Sequence, residues 1–394
     1  APDLANWSCR KTEKSVEIVR QGDASILRFN LADTPANWAE ARTIKFGFIL
    51  TPSRPLDQKI HRMRNHRDLQ MWCQPWEYFA VPDYDTASRA EIERETKRYG
   101  LDPKEVFLYM GIGLTSPFMP EWAWWEEEWR GNSKFGEWTG NFKDPKIRGR
   151  ACYTGGTGPT YLNFLQNKRR IFFEKARTPI TPKARNYYFD TGATTAGWYR
   201  EQDINVYRMI RRTGPEAKIW GHQGWLRSMP MQHFTDIICG GEGIEGMLEK
   251  DGGYYNILTP EMFRATFSPR IWGIKMVFLY MGFGRDPEKD LNFSLDKPEY
   301  RKSVFHAYGY CLVHDVDICT ETALDARLIR EVMQPMWAAQ DVLGWDERIV
   351  FHPYWEQGAV KLVSPQSSRI MASAYTKDGK MLLAILNDTD KEET

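Results

Sequence analysis

The chain has 394 residues, with 53 Lys and Arg against 52 Asp and Glu and a formal net charge of +1 at pH 7. That balance excludes bulk electrostatic attraction to nucleic acid or an anionic membrane, and favours neutral or locally recognised ligands. The length exceeds one ordinary domain, but a (β/α)8 barrel of roughly 250 residues with smaller appendages accounts for it.

Aromatic residues make up 14% of the chain, including 16 tryptophans. Several of these cluster in expected loops, where a ring can stack on the apolar face of a sugar; ordinary core packing is the alternative. The six cysteines are scattered without the spacing of a metal site, so neither a metal nor another cofactor is expected. No run of about 18 apolar residues predicts a membrane span. Nothing at Ala1 resembles a signal peptide, and a secreted or periplasmic compartment is the expectation if a leader has been removed.

In chain order, residues 1–40 show alternating apolar and polar positions over Ser15–Val19 and Ser25–Leu31, with Gln21-Gly22-Asp23 as a turn. Two strands do not make a stable domain, so this region is expected to be the end of an N-terminal β-sandwich. Over residues 41–346, strand-like and helix-like segments alternate, the signature of a parallel sheet with crossover helices. The strands are expected at Ile44–Leu50, Leu69–Cys73, Val106–Met110, Tyr187–Asp190, Lys218–Gly221, Thr235–Cys239, Met276–Met281 and Tyr310–His314. Eight is the number a closed barrel needs.

Helices are expected at Ser88–Gly100 and Pro159–Arg177, and at Ala323–Leu343 with a kink or split at Pro335. The stretch from Gly111 to Arg150 is too long for an ordinary strand-to-helix loop and contains Glu121–Trp129, rich in Trp and Glu. It reads as a lid or wall of a cleft with a local helix, or as an insertion covering the barrel flank. Residues 347–394 are expected to begin a C-terminal β-sandwich. Its strands are Ala359–Val363, Arg369–Tyr375 and Met381–Leu386, the last two joined by a tight hairpin at Lys377–Lys380. The whole is thus an α/β chain: a (β/α)8 TIM-like barrel flanked by partial β-sandwich segments at both ends.

No serine-hydrolase elbow, zinc-protease motif, phosphate-binding P-loop or dinucleotide fingerprint is present. What remains is a set of strand ends carrying acids and a histidine. In a barrel the C-terminal ends of the strands converge on one face, which nominates Asp190, His222 and Glu242 as neighbours. Two carboxylates, one protonated and one ionised, are what glycoside hydrolysis requires. Glu242 follows Cys-Gly-Gly, so small neighbours leave it approachable, and Glu245 is its understudy; a charged residue on a glycine-rich turn is the bland reading.

Asp190 could equally cap the helix that follows. His222 could bond a sugar hydroxyl or be structural. Further substrate contacts are expected from Trp225, Tyr153, Trp124, Trp125, Trp76, Glu77, His314 and Asp315, the last two as the end of the eighth strand. His314 and Asp315 could instead form an internal polar pair. The expected partner is an oligosaccharide or polysaccharide, with no nucleic acid and no membrane.

Ile44–Leu56 resembles the segment entering the barrel in glycoside hydrolase family 123 and in a related uncharacterised group of bacterial glycoside-hydrolase-like proteins. The strand ends at Asp190 and Glu242, Leu312–Asp315 and Phe351–Trp355 resemble the second group more closely. The resemblance implies a TIM-like barrel between β domains and an exo-acting, retaining hydrolase of β-linked sugars. In family 123 an adjacent Asp-Glu pair works with the 2-acetamido group of the substrate; here Thr191 follows Asp190, so the adjacent acid is missing. Glu242 is therefore assigned as general acid/base and Asp190 as nucleophile or stabiliser. A carbohydrate-binding barrel without catalysis is the alternative, as is lyase chemistry on a uronic acid, which would need Arg227 or Arg285 in the site.

Overall fold

A computed structural model describes residues 16–32, 41, 50–72, 106–111, 114–115, 121–129, 137–138, 151–153, 163–164, 167, 186–190, 207–208, 210–212, 214–222, 234–241, 258–280, 298–320, 329–356, 360 and 369–388. The chain divides into two units, Ala1–Leu50 and Thr51–Thr394. In the first, β1 (Val16–Gln21) and β2 (Ala24–Phe29) pair antiparallel across a two-residue turn.

The second unit is built on a parallel sheet. Its strands are β3 (Gln70–Trp72), β4 (Val106–Gly111), β8 (Asn186–Asp190), β9 (Ile219–His222), β10 (Ile237–Gly240), β11 (Lys275–Tyr280) and β12 (Asp317–Thr320), lying side by side in chain order. β5 (Leu114–Thr115) and β6 (Glu137–Trp138) of the long insertion form a small antiparallel sheet with β7 (Ala151–Tyr153), which follows it directly, and the insertion also contains α2 (Trp122–Trp129). The local helix expected in that stretch is therefore present.

The parallel sheet curls. A flat sheet of seven strands would hold its edge strands about 29 Å apart, at about 4.8 Å per interval. Here the backbone N–H of Asn65 donates to the Asp317 carboxylate at the start of β12 (3.0 Å), and the His66 ring lies 3.8 Å from the Cys319 sulfur in the same strand. The N–H of His66 donates to the Leu69 carbonyl (3.1 Å), which holds the residue preceding β3 beside that turn. The first and last strands are thus drawn together.

Alternation sorts the side chains accordingly. Leu69, Phe107, Tyr188, Trp220, Ile237, Cys239, Val277, Leu279 and Cys319, drawn from the whole width of the sheet, pack in one buried cluster. Their neighbours Ile238, Met276, Phe278 and Ile318 face the other way, into a core shared with α3 (Pro260–Phe267) and α5 (Pro298–His314). Two cores on two faces explain why these strands read as continuous apolar runs.

Six expected strands coincide with β3, β4, β8, β9, β10 and β11. Ile44–Leu50 lies, apart from Leu50, outside the described residues. Tyr310–His314 is not a strand: it is the last turn and a half of α5, and the strand that follows is Asp317–Thr320. The cause is that α5 is covered on one side by the parallel sheet and on the other by the C-terminal sheet. Its buried end is apolar all round, and a short apolar run of this kind carries no usable period.

Short helices deliver the chain to its strands. α1 (Gln58–His61) is capped by the Asp57 carboxylate, which accepts from the Ile60 N–H (3.1 Å), and α3 by the Thr259 hydroxyl. α4 (Pro269–Trp272) stops at Gly273, whose φ is +71° and where a Cβ would collide with the Arg54 carbonyl. Arg54 in turn donates to the carbonyls of Thr235 and Gly273, at the N-terminal ends of β10 and β11. A π turn (Ile329–Met333) gives way to α6 (Gln334–Leu343) with Pro335 in the first turn of α6, so the expected split at that proline is observed. β13 (Val350–His352), β14 (Ile370–Lys377) and β15 (Lys380–Asn387) form an antiparallel sheet with the expected hairpin at Lys377–Lys380. Ala359–Val363 lies outside the described residues, Val360 excepted.

Candidate functional site at the C-terminal strand ends

β8 and β9 are the centre of the site. Phe189 pairs with Gly221 and Gly111 with Asp190, so Asp190 and His222, the last residues of their strands, end side by side at one level. Cys239 pairs with His222 from the other side. Tyr188 and Trp220 lie in the inner cluster, their rings 5.2 Å apart edge to face. His222, two residues beyond Trp220, is 7% exposed, and its ring centroid lies 5.8 Å from that of Tyr188. The imidazole is therefore held above an aromatic floor at the C-terminal edge.

β10 reaches the same edge through Cys239-Gly240-Gly241. Gly241 has a φ of +120°, and a Cβ there would lie 2.9 Å from the Leu279 carbonyl and 3.0 Å from the Phe278 ring. Only glycine lets the chain leave β10 this close to β11. Glu242 and Glu245 follow and lie outside the described residues, as do Trp225, Trp76, Glu77 and the side chains of Asp190 and Tyr153. Trp124 and Trp125 sit on α2, 85% and 43% exposed. The Trp124 ring, left in water on an acidic helix, is an available stacking surface rather than core.

His314 and Asp315, expected as substrate contacts at the end of an eighth strand, are corrected. They precede β12, so they lie at the N-terminal end of the sheet, away from Asp190 and His222. Both are engaged. The His314 Nδ1 meets the Tyr310 carbonyl (2.8 Å) and its Nε2 meets the Tyr354 hydroxyl (3.1 Å). Burial, with Arg264 nearby, lowers its pKa to about 4. The imidazole is thus neutral at pH 7, Nδ1–H donating and Nε2 accepting.

Asp315 takes two donors from Arg62 (2.5 and 3.2 Å) and one contact from His61 Nε2 (2.8 Å). Burial alone would raise its carboxyl; the Arg62 charge and the hydrogen bonds from Arg62 and His61 outweigh that and hold it below the usual carboxylate range. The Arg62 guanidinium stacks 5.1 Å over Trp345. Beside this group, Lys275 Nζ meets Asp317 (2.6 Å) and donates to the carbonyls of Met63 (2.6 Å) and His61 (3.2 Å). This polar floor was missed by sequence reasoning. Its trace in the sequence is the basic run His61–Arg67, whose charges carry no local sign of a buried partner. Among the described residues, no group of three or more His, Cys, Asp or Glu is arranged to hold a metal ion, and no helix is long and apolar enough to cross a membrane.

No protein-family model matches the chain, and no curated protein matches it. Among solved structures it is similar to an alpha-amylase from Lactobacillus plantarum, at 11% identity over 84% of this chain and 78% of that one, with a TM-score of 0.42. It is also similar to a cyclomaltodextrinase, at 13% identity over 79% of this chain and 56% of that one, with a TM-score of 0.46. A third likeness is to the glycoside hydrolase domain of PelA from Pseudomonas aeruginosa, at 11% identity over 65% of this chain and 95% of that one, with a TM-score of 0.33. All three TM-scores lie below 0.5, so the site rests on the chain's own residues.

Proposed function

We propose that the protein is a glycoside hydrolase acting from the end of β-linked sugar chains, with Glu242 as general acid/base and Asp190 as nucleophile or stabiliser. The scaffold in this reading is a (β/α)8-type barrel made from the curled sheet. The observation that supports it best is the ending of β8 and β9 side by side, which sets Asp190 and His222 together at the C-terminal edge of a parallel sheet whose strands follow chain order. That edge is where barrel enzymes carry their chemistry.

The period of two along β8 assigns position 190 to the face of Tyr188, the same inner face that His222 occupies. β8 and β10 are two intervals apart, about 10 Å of backbone. Strands at that spacing are compatible with the roughly 5–9.5 Å that separates paired glycosidase carboxyls. Glu242 in its protonated form donates to the departing glycosidic oxygen. Asp190, ionised, attacks or stabilises the oxocarbenium-like carbon, and Glu242 then activates water for the second step. His222 orients a substrate hydroxyl, and Trp124, Trp125, Trp225, Trp76, Tyr153 and Glu77 supply further sugar contacts, with Glu245 beside the acid.

The test is a panel of aryl β-glycosides and oligosaccharides assayed with wild type, Glu242→Gln and Asp190→Asn. Each substitution is expected to lower kcat by roughly 10²–10⁴ with the fold retained. Turnover unaffected by both would remove the assignment. Sugar binding without turnover by the wild type would make the protein a binding module instead.

A further inference from the structure

Around the N-terminal end of β11, Arg264, Ser268, Arg270, Trp355 and Glu356, together with Thr51-Pro52, surround an open cavity of about 360 Å3. It lies at the opposite end of the sheet from Asp190 and His222, and its volume falls within the range of small-molecule sites. Three observations bear on what would occupy it.

The Arg264 guanidinium carbon stands 5.3 Å over the Trp355 ring. That ring is itself fixed, parallel to His314 at 5.4 Å and edge to face with Tyr354 at 4.9 Å. Arg264 is therefore held in place by a cation–π contact, and no carboxylate among the described residues forms an ion pair with it. Arg270 is different: it meets Glu356 at 2.9 Å, so those two charges cancel. The residues lining the cavity therefore carry a net charge of +1, with Glu261 one turn back on α3 outside the lining. Finally, Ser268 is 1% exposed and its hydroxyl has no hydrogen-bond partner among the described residues. A buried hydroxyl without a partner is costly, and a polar ligand relieves that cost.

We infer that this cavity is a second binding site, for the singly charged carboxylate of a sugar acid. The planar carboxylate matches the Arg264 fork, one negative charge matches the net charge of the wall, and the buried Ser268 hydroxyl pairs with a ligand oxygen. A phosphate dianion fits less well, since Glu356 already neutralises the second arginine. That the acid is a sugar rests on the hydrolase reading above, whereas the carboxylate site itself does not depend on the assignment of Asp190 and Glu242.

Calorimetric titration of the full chain tests this with three probes: D-glucuronate, a polyuronate oligosaccharide and neutral glucose. One saturable site for glucuronate, for the oligosaccharide or for both is expected, and none for glucose; the probe that binds identifies a free sugar acid or a polymer residue as the source. Arg264→Gln is expected to weaken binding at least tenfold, and Ser268→Ala several-fold, while hydrolysis of aryl glycosides by both variants stays at the wild-type level. Ser268→Ala adds no bulk to a buried position, so it remains informative if Arg264→Gln does not fold. Absence of binding by both acids, equal binding of glucose, or binding unchanged in both variants would overturn the inference. Failure of the wild type to hydrolyse any glycoside would leave this result standing and touch only the catalytic assignment.

Discussion

Lys275 and Asp317, the first residues of neighbouring strands β11 and β12, form a buried ion pair at 2.6 Å. The Lys275 ammonium also binds two carbonyls of the segment preceding β3, and the Asp317 carboxylate accepts the Asn65 N–H. One ion pair thereby joins the last strands of the sheet to the chain that enters its first.

Removing one partner of that pair is expected to be severe. Lys275→Met leaves Asp317 buried beside empty carbonyls and is expected to cost about 3–5 kcal/mol. Urea unfolding measures this; a loss below about 1 kcal/mol would mean that the sheet is not held together here.

Stability is expected to fall with acid between pH 6.5 and 4. His314 has a folded-state pKa depressed by burial to about 4, against about 6.5 in the unfolded chain. Over that interval the unfolded state binds a proton that the folded state refuses, so the stabilising contribution is full above pH 6.5 and is lost as pH drops. Its size is on the order of 3 kcal/mol. His61, also lowered mainly by burial, acts in the same direction. The depressed carboxyl of Asp315 adds a further loss at lower pH, below the usual carboxylate range. Thermal melts of wild type and His314→Gln from pH 7 to 4 should converge as pH falls.

Gly241→Ala is expected to act on both stability and chemistry. The added methyl meets the Leu279 carbonyl at 2.9 Å with φ at +120°, a strain of about 1–3 kcal/mol. Relief of that strain moves the peptide that precedes Glu242. A lower melting temperature with a larger fall in kcat than in substrate affinity is the expected result; unchanged kcat would detach Gly241 from the site.

Trp124→Ala should separate binding from folding. The ring is 85% exposed, so stability is expected to change by less than about 0.5 kcal/mol. If the ring stacks on a polymer, KM for polysaccharide rises several-fold while an aryl monosaccharide is turned over as before. Equal effects on both substrates would place Trp124 elsewhere.

Much of the sheet was legible in the sequence because β3, β4, β8, β9, β10 and β11 are short apolar runs bounded by polar or glycine stops, and two-sided burial imposes that composition locally. The hairpin at Lys377–Lys380 was legible for the same reason: Asp378-Gly379 is a local turn signal. β12 was not, since Asp317–Thr320 is four residues long and the apolar run before it belongs to a helix end buried on both sides. The strand-end positions of Asp190 and His222 followed from the runs they terminate.

The tertiary structure alone decided the rest. His61, Arg62 and Asp315 meet across more than 250 residues, and Lys275 and Asp317 across 42. Such pairings leave no periodicity in the chain, because a charge in a basic run carries the same local signal whether water or a buried carboxylate neutralises it. Curling of the sheet draws Asn65 and His66 to β12 and so chooses the second outcome, and it puts His314 and Asp315 at the end of the sheet away from the residues they were expected to join.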